Sequence, residues 1–239
     1  MKTEHILATS ADLFKEVEGI EEKAGLVAYA PVHGKDLFIG QRAMLETTSL
    51  FRHFIPYIVF VSGADVLTYK RTKKGGEDRL HESHSVGFGG HVDMLDIVCD
   101  QKGRIDFSES MRRAIRREVN EELSFVSGEG VLEELIVGSM EPQAYILDNS
   151  NDVGKVHIGL LYVVTLPPSM PLANFESNED KIELIGGKNP IELLQSDIEI
   201  EGWSLAVLES FAQHLKEAQA QTEATLADED AEMPTEEVA

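Results

Sequence analysis

The apolar positions follow two rhythms. From Phe54 to Leu166 they gather in short runs bounded by Gly, Asp and Ser. Tyr57–Ser62 (YIVFVS) predicts a buried strand, Gly63-Ala64-Asp65 a turn, and Val66–Arg71 an alternating hairpin partner. Ser85–Val92 (SVGFGGHV) reads as a Gly-rich strand. Leu132–Met140 and Lys155–Leu166 (KVHIGLLYVVTL) read as further strands, the second with the apolar centre of an interior strand. Helical spacing governs Asp106–Phe125 and Trp203–Lys216; in the latter Leu205, Leu208, Phe211, Ala212 and Leu215 share one side. Ala11–Glu22 has helical character, and Gly25–Gln41 holds short strands broken by Pro31 and Gly34. Strands, helix, strands and helix in this order predict an α+β domain, an α/β/α sandwich.

Composition narrows the class. The chain has 239 residues, between one and two domains at about 150 residues each. Apolar residues make up 42%, enough for a packed core. There are 43 acidic residues against 21 basic ones, a net charge of −22. That balance argues against a duplex nucleic-acid backbone or an anionic membrane surface as partner. The single cysteine, Cys99, excludes an internal disulfide and a Cys-rich zinc site. No apolar run nears about 18 residues. The opening MKTEHILATSADLF mixes charges early, without a signal-peptide core. The expectation is a soluble, cytoplasmic protein. Residues 217–239 carry eight acidic residues, no Lys or Arg and no aromatic. They predict a flexible acidic tail whose first residues continue the preceding helix. Removing those eight charges leaves −14, so the rest of the chain is acidic as well.

The segment Asp106–Phe125 (DFSESMRRAIRREVNEELSF) adds chemistry. Asp106 and Glu109 have the spacing of a capping box. At about 100° per residue, Met111, Ala114, Ile115, Val119 and Leu123 form an apolar face. Arg113, Arg116, Arg117, Glu109 and Asn120 face solvent. Glu118 falls in the middle of the apolar face, Glu122 joins it, and Glu121 sits on its edge. Three carboxylates at i, i+3 and i+4 repel one another, and burying an unpaired one is costly. Hard divalent cations with oxygen ligands resolve both costs; the plain alternative is a solvated acidic patch neutralised by Arg113 and Arg117 at helical spacing.

With these residues in view, the segment resembles the Nudix box, G-x5-E-x7-R-E-U-x-E-E-x-G-U, U being aliphatic. Glu109 is followed, after seven residues, by Arg117-Glu118-Val119-Asn120-Glu121-Glu122-Leu123. Ser124 replaces the last glycine and Phe125 takes the final apolar place. Gly103 meets the literal opening position, but the Gly89-Gly90 pair looks like the family's strand glycines. Asp93–Phe107 would then be an insertion in the loop before the helix. The resemblance spans about Phe54 to Lys216 and includes YKRTKKGGEDRL and DNSNDVGKVHIGLLYVV, which look like a bacterial or phage predicted-phosphoesterase branch. It implies a Nudix-like mixed β-sheet flanked by helices over 54–216, an N-terminal extension (1–53) packed on it, and the acidic tail.

The resemblance also implies an activity: metal-dependent cleavage of a diphosphate, usually in a nucleoside diphosphate linked to another group X. By that resemblance Glu118, Glu121 and Glu122 ligate Mg²⁺ or Mn²⁺, with a backbone carbonyl near Gly90. Arg117 orients the carboxylates, and Glu109 holds the loop or Arg117. Ser124 tolerates a left-handed helix end less well than glycine. The general base is Glu118 or a later acid, Glu176, Glu179 or Glu183. A homodimer is the family expectation.

Other residues compete for roles. Lys70, Arg71, Lys73, Lys74 and Arg79 flank Gly75-Gly76 and form the natural place for a diphosphate, with Arg79 suited to a bidentate contact. The plain alternative is a hairpin with solvated lysines. His81, His84 and His91 are close in sequence, but no Cys or third helical partner supports zinc. His157 and Trp203 read as core residues. Two other classes compete with the hydrolase: a non-catalytic Nudix-like nucleotide-binding or regulatory module, and an isopentenyl-diphosphate isomerase-like enzyme, for which Cys99 is poorly placed.

Overall fold

The computed structural model describes residues 3–17, 20–72, 82–126, 129–139 and 141–232. Its strands are β1 (His5–Ser10), β2 (Gly25–Ala28), β3 (Leu37–Gln41), β4 (Phe51–Ser62), β5 (Asp65–Arg71), β6 (His84–Ser85), β7 (Leu123–Phe125), β8 (Ala144–Leu147), β9 (His157–Thr165), β10 (Phe175–Ser177) and β11 (Ile182–Lys188). The helices are α1 (Arg42–Leu45), α2 (Phe107–Glu122), α3 (Glu129–Gly138), α4 (Asp152–Val156), α5 (Pro190–Gln195) and α6 (Gly202–Glu232).

The main sheet runs β11-β5-β4-β9-β8-β2, with β1 joined to β4 and β3, and β6 to β5. It is mixed, because β4 and β9 pair in parallel from His53↔His157 to Val61↔Thr165 while the neighbouring pairs are antiparallel. Alternation along β4 and β9 sends side chains to two cores. Phe54, Ile58, Phe60, Ile158, Leu160 and Val164 pack under α2. Tyr57, Val59 and Leu161 pack against Val207 and Leu208 of α6 and Leu193 of α5. The result is a sheet with helices on both faces. Burying each of Met111, Ile115 and Val119 contributes roughly 1.5–3 kcal/mol.

The first fifty residues belong to this sheet. β1 pairs with β4 and β2 with β8, and β4 itself begins at Phe51. Elsewhere the structure departs from the sequence expectations for identifiable reasons. Leu132–Met140, expected as a strand, lies largely in α3: Leu132 and Ile136, four apart, are both buried, and the adjacent Glu133-Glu134 cannot alternate. Ala11–Glu22 is only a 3₁₀ turn, Ala11–Phe14, started by the Ser10 side chain. Of Ser85–Val92 little is strand: β6 is short, and Phe88 makes an isolated bridge to Ile58. The last helix runs to Glu232, far beyond the few residues expected. Its Ala-, Gln- and Glu-rich extension has high helix propensity and grows from an already packed nucleus. Residues 216–225 of it are all exposed.

Candidate active site

Helix α2 starts as its sequence dictates, with the Asp106 carboxylate accepting from the Glu109 N–H at 3.0 Å. It ends at Glu122, three residues earlier than the expected Phe125. Leu123 turns extended, and β7 pairs with β10, Ser124 opposite Glu176. Ser124 therefore lies in a strand, and the left-handed conformation that would favour glycine there is not used: among the described residues the non-glycine with positive φ is Glu82.

Glu118 and Glu122 are more buried than Glu121, which the helical wheel puts at the edge of the apolar face. The Glu118 side chain is 12% exposed and that of Glu121 is 55% exposed; Glu122 is half-buried. Gly89 and Gly90 bring the backbone against Glu118 and Glu122. The Gly89 N–H donates to Glu122 Oε2 at 3.1 Å. A Cβ on Gly90 would stand 2.4 Å from Glu118 Oε1, so no other residue fits there without moving the carboxylate. Gly103 sits instead in an exposed turn of the 93–107 segment at φ +74, with open space around it. Gly90, and not Gly103, stands beside the carboxylates.

Arg117 reaches from α2 across this group. Its Nη1 is 2.7 Å from Glu118 Oε1 and 3.4 Å from Glu121 Oε2. Its Nη2 donates to the His91 carbonyl at 2.9 Å and to Asp96 Oδ2 at 2.7 Å. Burial opposes this charge, but Asp96 and Glu118 outweigh it and raise the guanidinium above its ordinary value. Asp96, which the sequence reading missed, is buried in the 93–107 segment. It is fixed by a capping box with Asp93, Asp96 Oδ2 accepting from the Asp93 N–H at 2.9 Å. The D-x-x-D spacing in DMLD was the available signal. Glu109, expected to hold the loop or Arg117, pairs instead with Arg112 at 3.0 Å, one turn along the same helix.

Burial pushes the Glu118 carboxyl up, while Arg117 pulls it down. Glu122 is raised to about 8, first by burial and then by Glu118 and Glu179. Two buried acids that repel each other, beside a backbone held close by glycine, form an oxygen-donor set suited to Mg²⁺ or Mn²⁺. Of the later acids, Glu179 acts on Glu122 and is itself paired with Lys181 at 3.1 Å. Glu176 and Glu183 are exposed on β10 and β11.

The basic residues separate. Arg71 lines a cavity of about 540 Å³ together with Gly89, Gly90, Lys181 and Trp203. Its Nη2 donates to the Tyr69 hydroxyl at 3.3 Å, and its buried Nε has no hydrogen-bond partner. Lys70, the next residue on the strand, forms a surface ion pair with Glu82. Lys73, Lys74, Arg79 and His81 lie outside the described residues. His84 sits on β6 with Nδ1 3.3 Å from the Glu199 carbonyl. Trp203 packs edge-on against Tyr57 and over Gly159, where a Cβ would stand 2.9 Å from its ring. His157, expected as a core residue, is half-buried on the cavity wall beside His91.

No family model matches the chain. Protein YmaB of Bacillus subtilis is 35% identical over 173 residues, 71% of this chain and 75% of YmaB. Tm1382, solved as a candidate Nudix hydrolase, shares 26% identity at a TM-score of 0.53, covering 86% of this chain and 97% of Tm1382. A bifunctional NMN adenylyltransferase/ADP-ribose pyrophosphatase from Francisella tularensis, complexed with AMP and Mn, aligns at 13% identity and a TM-score of 0.43, over 68% of this chain and 42% of its own. The chain belongs to the Nudix family. YmaB is a relative whose name states no activity.

Proposed function

We propose that this protein is a divalent-metal-dependent hydrolase that cleaves the diphosphate linkage of a nucleoside diphosphate joined to X, or of a related small molecule. The observation that carries the reading is the Glu118–Glu122 pair, half-buried against Gly89-Gly90 and steered by Arg117. Glu118, Glu121, Glu122 and the Gly90 carbonyl would hold Mg²⁺ or Mn²⁺, which supplies charge neutralisation on the attacking and leaving oxygens. Arg117, fixed by Asp96, keeps the Glu118 carboxylate turned toward Gly90. Arg71 on the cavity wall would donate to a phosphate oxygen. Water adds to one phosphorus as the bridging P–O bond breaks. The proton it loses goes to Glu118 or to Glu179, the later acid that faces Glu122.

The test is a panel of nucleoside diphosphate derivatives with Mg²⁺ or Mn²⁺ and mass spectrometry of the products, run beside Glu118→Gln. Cleavage of one substrate, absent in the variant, supports the hydrolase. A product of unchanged mass would favour the isomerase-like reading, for which Cys99, exposed on the 93–107 segment, offers no support. Binding without turnover would favour the non-catalytic module. Among the described residues no helix is long and apolar enough to cross a membrane. A cytoplasmic homodimer completes the proposal, and light scattering of the purified chain checks its assembly.

A further inference from the structure

Three histidines distant in sequence converge beside the carboxylate group. His53 on β4 and His157 on β9 are parallel-sheet partners in register, so their side chains share one face. His91 reaches them from the segment that follows Gly89-Gly90. One ring nitrogen from each lies within 4.8 Å of the other two. His91 Nε2 and His157 Nε2 are 3.1 Å apart. Two nitrogens bound to one tetrahedral zinc at about 2.0–2.1 Å stand about 3.3 Å apart.

The ring settings fit ligation. His157 Nδ1 lies 2.7 Å from the Val153 carbonyl, which can only accept, so the proton sits on Nδ1 and the Nε2 lone pair points at His91. That N–H to carbonyl contact is the usual support of a metal-bound imidazole. His53 is fully buried, and among the described residues neither ring nitrogen makes a hydrogen bond of full geometry, the Leu45 backbone being the one group that interacts with the ring in that way. A buried polar ring left unpaired is costly, and a shared cation would remove that cost. The donors are three neutral nitrogens with no carboxylate, a set that suits zinc and not magnesium. The two cations acting on His91, Arg42 and Arg117, are already paired: Arg42 with Glu4 and Glu46, Arg117 with Asp96, Glu118 and Glu121.

We propose that His53, His91 and His157 form a zinc site, distinct in ligand chemistry from the carboxylate group of α2 and open to the cavity that His91 and His157 line. The test uses the full chain stripped of metal. Equilibrium dialysis against Zn²⁺ measures stoichiometry, and Co²⁺ titration reads the visible absorption of a tetrahedral ion. One ion per chain is expected. Affinity should fall at least about 100-fold in His91→Gln and in His157→Gln, with circular dichroism showing each variant folded. Glu118→Gln should bind Zn²⁺ as the parent does, whether or not the parent hydrolyses a diphosphate. No bound zinc at micromolar free metal would overturn the proposal. So would equal binding by folded His91→Gln and His157→Gln, or loss of binding in Glu118→Gln alone.

Discussion

Helices α2 and α6 cover opposite faces of one sheet and treat charge in opposite ways. In α6 Ala206, Val207, Leu208 and Ala212 are buried, while Glu209, Glu217 and Glu223 are exposed. Lys23 reaches its Glu209 at 2.7 Å in a pair exposed on both sides, the kind that contributes little. In α2 two glutamates enter the packed face, and an arginine and a buried aspartate from a separate loop are committed to orienting one of them. Charge on α6 costs nothing to keep. On α2 the carboxyls of Glu118 and Glu122 are kept on the packed face although burial disfavours their charged form.

The sharpest way to break this contrast is Glu118→Gln. Losing one of the carboxylates proposed to hold the metal should reduce turnover on the order of 10²–10⁴-fold, while the melting temperature holds or rises as the repulsion with Glu122 is relieved. Normal turnover in that variant would put Glu118 in the same class as the acids of α6. Asp96→Asn comes next. Arg117 would keep Glu118 but lose its buried anchor, so turnover should drop about 10–100-fold. Stability should fall by about 1–3 kcal/mol, the cost of leaving a buried hydrogen-bonding group unsatisfied. Steady-state kinetics and urea melts separate the two effects, and an unchanged kcat would deny Asp96 its positioning role.

The third prediction concerns pH. In the metal-free fold Glu122 holds its proton to about pH 8, against an ordinary 4.5. Between those limits the folded chain binds a proton that the unfolded chain has released. Its stabilising contribution is fully present below about pH 4.5 and is lost as pH rises through about 8. Stability without metal should therefore decline across this window, and Glu122→Gln should flatten the decline. Mg²⁺ must displace the same proton, so its apparent affinity should climb by up to about tenfold per pH unit until about pH 8. Calorimetry at pH 6, 7 and 8 reads this directly; a level wild-type profile would contradict it. The smallest effect belongs to α6. Deleting Glu223–Ala239 should shift stability by less than about 0.5 kcal/mol and leave turnover unchanged. A larger loss would mean that the exposed end of α6 belongs with the working part of the fold.

The carboxylate group was legible because helical geometry is local. Spacing alone put Glu118 inside the apolar face, Glu122 beside it and Glu121 at its edge. In the structure Glu118 and Glu122 are half-buried and Glu121 is exposed. The layering of helices on both faces was also expected from the order of strands and helices, and the mixed sheet from the family resemblance. What escaped depended on contacts distant in sequence. Nothing local says that Asp96 meets Arg117, or that Arg117 leaves Glu109 to Arg112. The meeting of His53 with His157 follows from the β4–β9 register, which sequence period cannot supply. Leu132–Met140 was misread because a short apolar run fits either period, and the four-residue repeat of Leu132 and Ile136 decided it.

The early end of α2 has a mechanical consequence. The Glu122 carbonyl accepts from the Asn178 N–H at 2.9 Å, and the Asn120 carbonyl accepts from the Asn178 side-chain amide at 3.0 Å. Orphan carbonyls at the helix terminus are thus fastened to the chain segment that carries Glu179. That acid is riveted to the same helix end as Glu122, so it cannot swing away like a hinged flap without first unlatching the helix. Any displacement of Glu179 away from Glu122 would have to break these two hydrogen bonds first.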